Sequence, residues 1–321
     1  MRKESTNYTA PKIEKLDFYH HGNFETLTFF NSDRKIKVTE NYKVSRDNTP
    51  STLSIMAAGS DIKAFGIELE TMSPLARVSE TALANVLYMV FERSGFDPDF
   101  FKKEEDCTVS AECVSQTFSK GWMRNNYKCF KAMYEMFSQL AITTNDYHCG
   151  MHVNIDLSNF GSDRQTQIDN VRKIGYMINK HYKFFKKAFH RLDVPTNETN
   201  WAVQMNDSKD YWKNTPVENF PTAHNQCNIN MGHVNKGRVE IRLVGGQKDF
   251  GCFRNTMETV FFLVEKVSKL SWDDIDDLVK IFKGCNEKVF DRLKTNCFQA
   301  GTITSEQLER IRPTVKPYKG L

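Results

Sequence analysis

The stretch "AFGIELETM", residues 64–72, places two glutamates inside an otherwise apolar run. Successive side chains of a strand point to opposite faces, so the apolar residues of this run share one face. Glu68 and Glu70 then share the other face, where two neighbouring like charges cost stability unless a cation meets them. The stretch therefore predicts a strand with one face in an apolar core and a charged face that requires a cationic partner.

The same alternation recurs in four further predicted strands, "TVSAEC", "MHVNID", "QCNINM" and "RVEIRL". Their polar positions are Ser110, Glu112, His152, Asn154, Asp156, Asn228, Asn230, Arg238, Glu240 and Arg242. A solvated face is one interpretation, since antiparallel sheets commonly keep one face in water. The bias toward Glu, His, Asn and Arg, with no Lys at the central positions, favours a binding face instead.

Predicted strands and helices interleave without a regular β–α–β rhythm, and this order favours an α+β fold with a mostly antiparallel sheet. Apolar residues recur at helical spacing over residues 79–95, 125–140 and 163–191, and the C-terminal third is also predicted to be helical. We expect residues 1–60 to form an N-terminal arm or a small β extension containing a hairpin. Residues 61–321 are then expected to form one catalytic domain with C-terminal helices.

Composition limits the class of protein. Of the 321 residues, 40% are hydrophobic and 26% are charged, as in globular proteins, and the net charge of +4 does not by itself indicate nucleic-acid binding. Eight cysteines without a CxxC pair predict reduced thiols and a cytoplasmic protein. No apolar run approaches the ~20 residues of a membrane span, and the N-terminus is polar, so we expect neither a membrane span nor a signal peptide.

The polar faces contain the residue types of a metal site. If the faces form one surface, Glu68, Glu70, Glu112 and Glu240 gather hard oxygen ligands that suit Mg²⁺ or Mn²⁺. His152 adds either a nitrogen ligand or a hydrogen bond to a phosphate group. These residues therefore predict a divalent metal site on the charged side of the sheet.

Two arginines on the same predicted face, Arg238 and Arg242, point to the chemistry that the metal would serve. A forked guanidinium group matches two oxygens of a phosphate or a carboxylate at once. In phosphoryl transfer, the metal bridges phosphate oxygens and arginine neutralises charge on the transferred group. We therefore expect catalytic roles for Arg238, Arg242 and His152.

Four motifs in order extend this interpretation. They are "FGIELE" (65–70), "EEDCTVSAECVSQTF" (104–118), "CGMHVNID" (149–156) and "NINMGHVNKGRVEIRLVGG" (228–246). Together they resemble the amidoligases, which are carboxylate–amine ligases related to glutamine synthetase and glutamate–cysteine ligase, frequent in phages and bacteria. The resemblance covers about residues 64–250, a little over half of the chain.

The resemblance implies a curved antiparallel sheet with helices on its outer face, as in the catalytic domain of glutamine synthetase. It also implies ATP, two or more Mg²⁺ ions, and an amide bond formed through an acyl phosphate, in the cytoplasm of a bacterium or a phage-infected host. The carboxylate and amine substrates are small molecules, peptides or proteins. The implied metal ligands are Glu68, Glu70, Glu112 and Glu240, and the implied cofactor contacts are His152, Asn154, Asn230 and Arg242.

Several alternatives stay open. A zinc site at His148, Cys149 and His152, with His224 or His233 as a further ligand, is disfavoured because residues four apart on a strand are about 13 Å apart. The basic stretch 178–191 is a candidate nucleic-acid surface, although an apolar stripe along it predicts that its lysines form a solvated face, with His181 and His190 also at the surface. A non-catalytic binding protein and a guanidino phosphotransferase are further alternatives on the same scaffold. The long loop 193–226 is predicted to be either a lid or a packed excursion.

Overall fold

The computed structural model describes residues 15–16, 28–31, 34–37, 63–73, 80–96, 100–104, 108–194, 202–220 and 227–313. The cysteines in these ranges are free thiols, and each is buried. None of the helices in these ranges combines the length and the apolar composition that crossing a membrane requires. Ser79, with which the first predicted helical stretch begins and which suits an N-cap, lies outside the described residues.

A small antiparallel sheet lies in the N-terminal part of the chain. Its strands are β1 Lys15–Leu16, β2 Thr28–Asn31 and β3 Arg34–Lys37, in that order. Strands β2 and β3 pair with Asn31 opposite Arg34, so the predicted hairpin is confirmed. The division of the chain at residue 60 stays a prediction.

Seven further strands form one open sheet in the order β5-β6-β4-β8-β10-β9, with β7 paired to the start of β4. They are β4 Ala64–Thr71, β5 Phe101–Glu104, β6 Ala111–Ser115, β7 Phe118–Ser119, β8 Met151–Asp156, β9 Ile229–Asn230 and β10 Arg238–Ile241. Every pairing within this sheet is antiparallel. The α+β class and the antiparallel sheet are therefore confirmed.

Helices account for most of the remaining described chain. They are α1 Glu80–Arg93, α2 Lys120–Asn125, α3 Tyr127–Gln139, α4 Arg164–Lys180, α5 Tyr182–Ala188, α6 Lys209–Asn214, α7 Phe250–Val267, α8 Leu278–Phe282, α9 Glu287–Arg292 and α10 Ser305–Ile311. The predicted single helix over 163–191 is wrong in one respect, because it divides at His181 into α4 and α5. The half-buried ring of His181 contacts the carbonyl oxygen of Ile275.

The apolar face of the large sheet packs against helices. The ring of Phe65 in β4 meets Phe261 of α7 edge-on with ring centroids 4.8 Å apart, and Phe101 of β5 stacks on Phe91 of α1. Ile67 is completely buried in the same core. Burial of this face fixes the strand register, because a slip of one residue would bring the glutamates of β4 into the core.

The described part of the long loop packs against the helical side of the molecule. The indole of Trp212 in α6 stacks on Phe220, and its ring lies against Gly175 of α4, where a Cβ would stand 2.2 Å from the ring. Trp212 is fully buried, and its indole N–H donates to the carbonyl oxygen of Asn206. For residues 202–220, the structure therefore favours a packed excursion over a lid.

Candidate metal and anion site

The antiparallel register brings charged residues of three strands together on the polar face. Glu68 of β4 lies directly opposite His152 of β8, and Glu70 of β4 lies directly opposite Glu112 of β6. Two carboxylates in directly opposed positions are destabilising by themselves. The pairing therefore creates a demand for positive charge at this point of the sheet.

Strand β10 completes the group from the other side. Glu240 lies opposite Asn154 of β8 and Asn230 of β9. The amide Nδ2 of Asn230 donates to Glu240 Oε2 at 2.9 Å, and Nη1 of Arg242 donates to Glu240 Oε1 at 2.8 Å. The amide Nδ2 of Asn154 donates to Glu68 Oε1 at 2.8 Å. The predicted cofactor contacts thus lie among the predicted metal ligands.

His152 lies at the centre of the four carboxylates. Its Nδ1 hydrogen-bonds to Glu68 Oε2 at 3.0 Å and lies 3.4 Å from Glu240 Oε1 and 3.8 Å from Glu112 Oε1. Its Nε2 lies 3.4 Å from Glu70 Oε1. The imidazole thus contacts both glutamates of β4, Glu68 and Glu70.

The charges in this cluster depend on one another. Burial by itself would raise the pKa of Glu68, but the hydrogen bond and charge of His152, with the Asn154 amide, hold it at about 2. Burial would lower the pKa of His152, whereas the charge of Glu70 and the hydrogen bond to Glu68 raise it above its ordinary value. Burial also opposes the charge of Arg242, yet nearby carboxylates raise its pKa. The cluster therefore holds carboxylates against the imidazole of His152 and the guanidinium group of Arg242.

Negative charge exceeds positive charge in this group. The four glutamates carry up to four negative charges, whereas the guanidinium groups of Arg242 and of Arg191, which lies beside Glu70, carry one positive charge each, and a protonated His152 would add one more. Buried charge without a partner is strongly unfavourable. A bound cation would therefore lower the free-energy cost of burying the excess negative charge.

The donor atoms fit a small hard cation. One ligand atom each from Glu68, Glu112 and His152 lies within 4.8 Å of the others. The amide oxygen Oδ1 of Asn154 is buried beside them and has no hydrogen-bond partner. Carboxylate and amide oxygens are the ligands that Mg²⁺ and Mn²⁺ prefer. Among the described residues, no comparable group contains a cysteine.

Arg238 lies on the same face but apart from the four glutamates. It is directly opposite Asp156 in the pairing of β10 with β8, two residues along from Glu240. Its side chain is 9% exposed and makes no hydrogen bond or ion pair with the described residues. Asp156 is 3% exposed, and its Oδ2 likewise has no partner. Arg238 is therefore a free buried cation at the far end of the polar face.

The structure does not support a zinc or thiolate site. Cys149 is buried, and burial raises the pKa of its thiol far above the ordinary value, so the nucleophilic thiolate is suppressed. His148 instead approaches Asp146, with Nδ1 2.8 Å from Oδ1. Another residue of the zinc hypothesis, His224, lies outside the described residues.

One predicted polar position is wrong. Asn228 does not share the polar face with Asn230, because regular strand pairing in β9 begins only at Ile229. Its side chain instead forms a mutual amide pair with Asn179 of α4, in which Nδ2 of Asn228 donates to Oδ1 of Asn179 at 2.8 Å. The amide pair satisfies both side chains within the helical layer.

Arg191 is a residue of this site that the sequence analysis did not assign. Its Nη1 lies 2.9 Å from the point where a Cβ on Gly150 would stand, and Glu70 Oε2 and His152 Nε2 lie 3.1 and 3.5 Å from the same point. Burial lowers the pKa of Arg191, while the charge of Glu70 acts in the opposite direction. The available sequence signal was Gly150, which leaves the space that the guanidinium group enters.

Comparisons of the chain with protein-family models and with curated proteins found no match. Four carboxylates, one histidine and three arginines lie together at one face of the sheet, and these residue types could hold a divalent cation and anionic oxygen groups.

Proposed function

We propose that this protein is an ATP-dependent carboxylate–amine ligase that requires Mg²⁺ or Mn²⁺. The observation that carries the proposal is the meeting of four glutamates at one buried histidine, with an arginine hydrogen-bonded to one of them. The motifs that resemble those of the amidoligases lie on the same strands. Carboxylates for a divalent cation and guanidinium groups for phosphate are the components of a phosphoryl-transfer site.

In the proposed reaction, a substrate carboxylate takes the terminal phosphoryl group of ATP, and an amine then displaces phosphate to leave an amide and ADP. Glu68, Glu112 and His152 would hold the divalent cation, with Glu70 and Glu240 beside them. When bound, the cation neutralises phosphate charge and orients the triphosphate.

The arginines have distinct roles in this proposal. Arg242 is oriented by its hydrogen bond to Glu240, and its remaining N–H groups are directed to charge on the transferred phosphoryl group. Arg238 lies beyond the carboxylates without a partner, so it supplies a guanidinium group for a second anionic group of the reactants. Asn154 holds Glu68 in place and offers its free Oδ1 to the cation.

Calorimetric titration of ATP in the presence and absence of Mg²⁺ tests the nucleotide site directly. We expect metal-dependent binding to the wild type, which Glu68→Gln removes because the substitution deletes a charged ligand at nearly constant shape. Glu265→Gln is the matched control, since Glu265 is an exposed glutamate paired with Lys120. Absence of metal-dependent ATP binding by the wild type would contradict the proposal.

Product analysis then separates the ligase from a guanidino phosphotransferase. Pools of carboxylates and amines are added with ATP, and ADP and free phosphate are measured together. A ligase releases both in equal amounts, whereas a guanidino phosphotransferase releases ADP and keeps the phosphoryl group on its product. Release of ADP without free phosphate would reject the ligase and favour the guanidino phosphotransferase.

The nucleic-acid alternative loses support from the structure of the basic stretch. Lys186 and Lys187 both pair with Asp193, and the apolar residues Ile178, Phe185 and Phe189 are buried. The lysines are thus the outer side of helices whose apolar side packs in the core. The burial of this apolar stripe supports a packed helical segment over a nucleic-acid surface.

A further inference from the structure

Helix α5 ends in a turn that directs Arg191 into the polar face. The backbone N–H of His190 donates to the carbonyl oxygen of Lys187 at 3.1 Å, and that of Arg191 donates to Lys186 at 2.9 Å. These two bonds form a Schellman motif, whose left-handed position usually holds glycine. Here His190 holds it at φ 58°, although a left-handed conformation costs a residue with a side chain about 1 kcal/mol.

Two glycines make room for this turn and for the side chain that follows it. A Cβ on Gly245 would stand 2.3 Å from the carbonyl oxygen of His190 and 2.6 Å from Cα of Arg191. A Cβ on Gly150 would stand 2.9 Å from Nη1 of Arg191. The guanidinium group therefore occupies the space beside Glu70 that a side chain at position 150 would fill.

The guanidinium group of Arg191 has no acceptor in the described part of the chain. Arg191 is 6% exposed, and its side chain forms neither a hydrogen bond nor an ion pair there. Glu70 Oε2, which lies on the other side of Gly150, accepts the backbone N–H of Gly150 instead. A guanidinium group stays charged and carries only donors, so leaving it buried without an acceptor is unfavourable. The strained turn and the glycines thus maintain an unpaired cation.

We propose that Arg191 binds an anionic oxygen group of a ligand, a carboxylate or a phosphate, at the Glu70 end of the polar face. A guanidinium fork matches such a group with two parallel hydrogen bonds. The inference deepens the proposed function, and it rests on that function only for the assumption that the ligand is one of the reactants.

The anion at Arg191 is distinct from one at Arg238. Arg191 lies beside Gly150, and Arg238 lies opposite Asp156. Gly150 and Asp156 are six residues apart, or about 20 Å by strand rise. His152 and Arg242 lie between them. The polar face thus has a guanidinium group at each end and the carboxylates between, an arrangement that fits two anionic groups bound on either side of a cation.

Two variants test the assignment by different routes. Arg191→Met removes the guanidinium group at similar length. Gly150→Ala leaves Arg191 in the chain but places a methyl group 2.9 Å from its Nη1, so the flexible end of the side chain must move; the methyl group also stands 3.1 Å from Glu70 Oε2, so Mn²⁺ binding is measured for this variant as well. Position 150 is not among the glycines with positive φ, so alanine introduces no such backbone strain. Arg312→Met, which removes the same charge from an exposed ion pair, is the control.

The probes are inorganic phosphate and malonate, each titrated by calorimetry in the presence of Mg²⁺. We expect the wild type and Arg312→Met to bind at least one of them, and both test variants to bind it about tenfold or more weakly. The double variant should lose no more than either single variant, because both remove the same contact. A loss confined to phosphate identifies a phosphate ligand, and a loss confined to malonate identifies a carboxylate.

Mn²⁺ binding without an added anion is the internal check. Removal of a cation beside the carboxylates should leave Mn²⁺ affinity unchanged or higher in Arg191→Met, so weaker anion binding would not reflect a damaged metal site. Equal anion affinity in the wild type and both variants would overturn the proposal. No anion binding by the wild type would overturn it as well. Anion binding that depends on Arg191, without any metal-dependent ATP binding, would retain the anion site and reject the ligase.

Discussion

The two faces of the large sheet obey different physical rules, and neighbouring residues of β4 show the contrast. Ile67 is completely buried against the helices, whereas the side chain of Glu68 is 16% exposed among charged groups on the opposite face. The apolar face gains stability in proportion to the area removed from water, without regard to direction. On the polar face, each charge depends on the position of its partner.

The apolar face of the sheet therefore contributes mainly to stability, and the polar face contributes mainly to binding. The helical face can exchange one apolar group for another of similar size at moderate cost. The carboxylate face has a fixed set of partners and an excess of negative charge, so a single change there alters what the site can bind. Substitutions on the two sides of the same strand should therefore have separable effects.

The largest effect is expected for Glu68→Gln. Loss of the charged oxygen should weaken Mn²⁺ binding by at least about 100-fold, more than the loss of an outer partner of a metal ligand. The fold should persist, because no apolar contact changes. Calorimetry with Mn²⁺, together with circular dichroism, checks both statements. Wild-type Mn²⁺ affinity in this variant would remove Glu68 from the metal site.

Ile67→Ala should give the complementary result on the other face. Truncation of a fully buried isoleucine typically lowers the free energy of unfolding by about 2–5 kcal/mol, because a cavity remains in the core. Urea denaturation measures this loss. Mn²⁺ affinity of the folded variant should match that of the wild type. A large loss of Mn²⁺ affinity without loss of stability would contradict the separation of the two faces.

Arg242→Lys sharpens the contrast within the polar face. Lysine keeps the positive charge near Glu240 but lacks the fork, so ATP-dependent turnover should fall by about 100-fold, while the protein stays folded. The measurement is ADP release at saturating ATP and Mg²⁺, once substrates are identified. Turnover near that of the wild type would exclude Arg242 from the chemistry.

The smallest effect concerns the pH dependence of stability at the end of α5. Burial, together with the charge of Arg292, lowers the pKa of His190 to about 4, from an ordinary value near 6.5. The unfolded chain therefore binds the proton more readily. The contribution of neutral His190 is complete above about pH 6.5 and is lost as the pH falls toward 4, by about 2 kcal/mol at most after allowance for partial exposure.

His190→Asn is the matched variant for this prediction. Asparagine tolerates the left-handed conformation and does not titrate. Urea denaturation of both proteins at about pH 7 and about pH 4.5 should show a steeper loss of stability in the wild type. Equal losses in the two proteins would show that His190 does not contribute to the pH dependence.

Much of the fold could be predicted because its signals are local. Alternation in β4, β8 and β10 predicted one apolar and one polar face, and the same pattern identified Glu68, His152 and Glu240 as members of one site. Period-two alternation places side chains on a known face whatever the remainder of the chain does. The helices α1 and α3 were predictable for the same reason, from apolar residues at helical spacing.

Other features could not be predicted, because they depend on contacts between distant segments. Asn228 pairs with Asn179 of α4, although alternation assigned it to the polar face. His181 was expected at the surface and is half-buried against Ile275. His190 was expected there as well and occupies the turn beside the site. In each case a contact with another element determines where the side chain points.

The sequence by itself determined which residues face the core and which carry charge, because strand and helix periodicity act through the local backbone. Only the tertiary structure decided that four carboxylates meet at His152 and that Arg191 joins them from the end of a helix. These contacts depend on the strand order and on glycines that allow neighbouring segments to approach closely. Both are set by packing of the whole sheet, and neither leaves a periodic pattern along the chain.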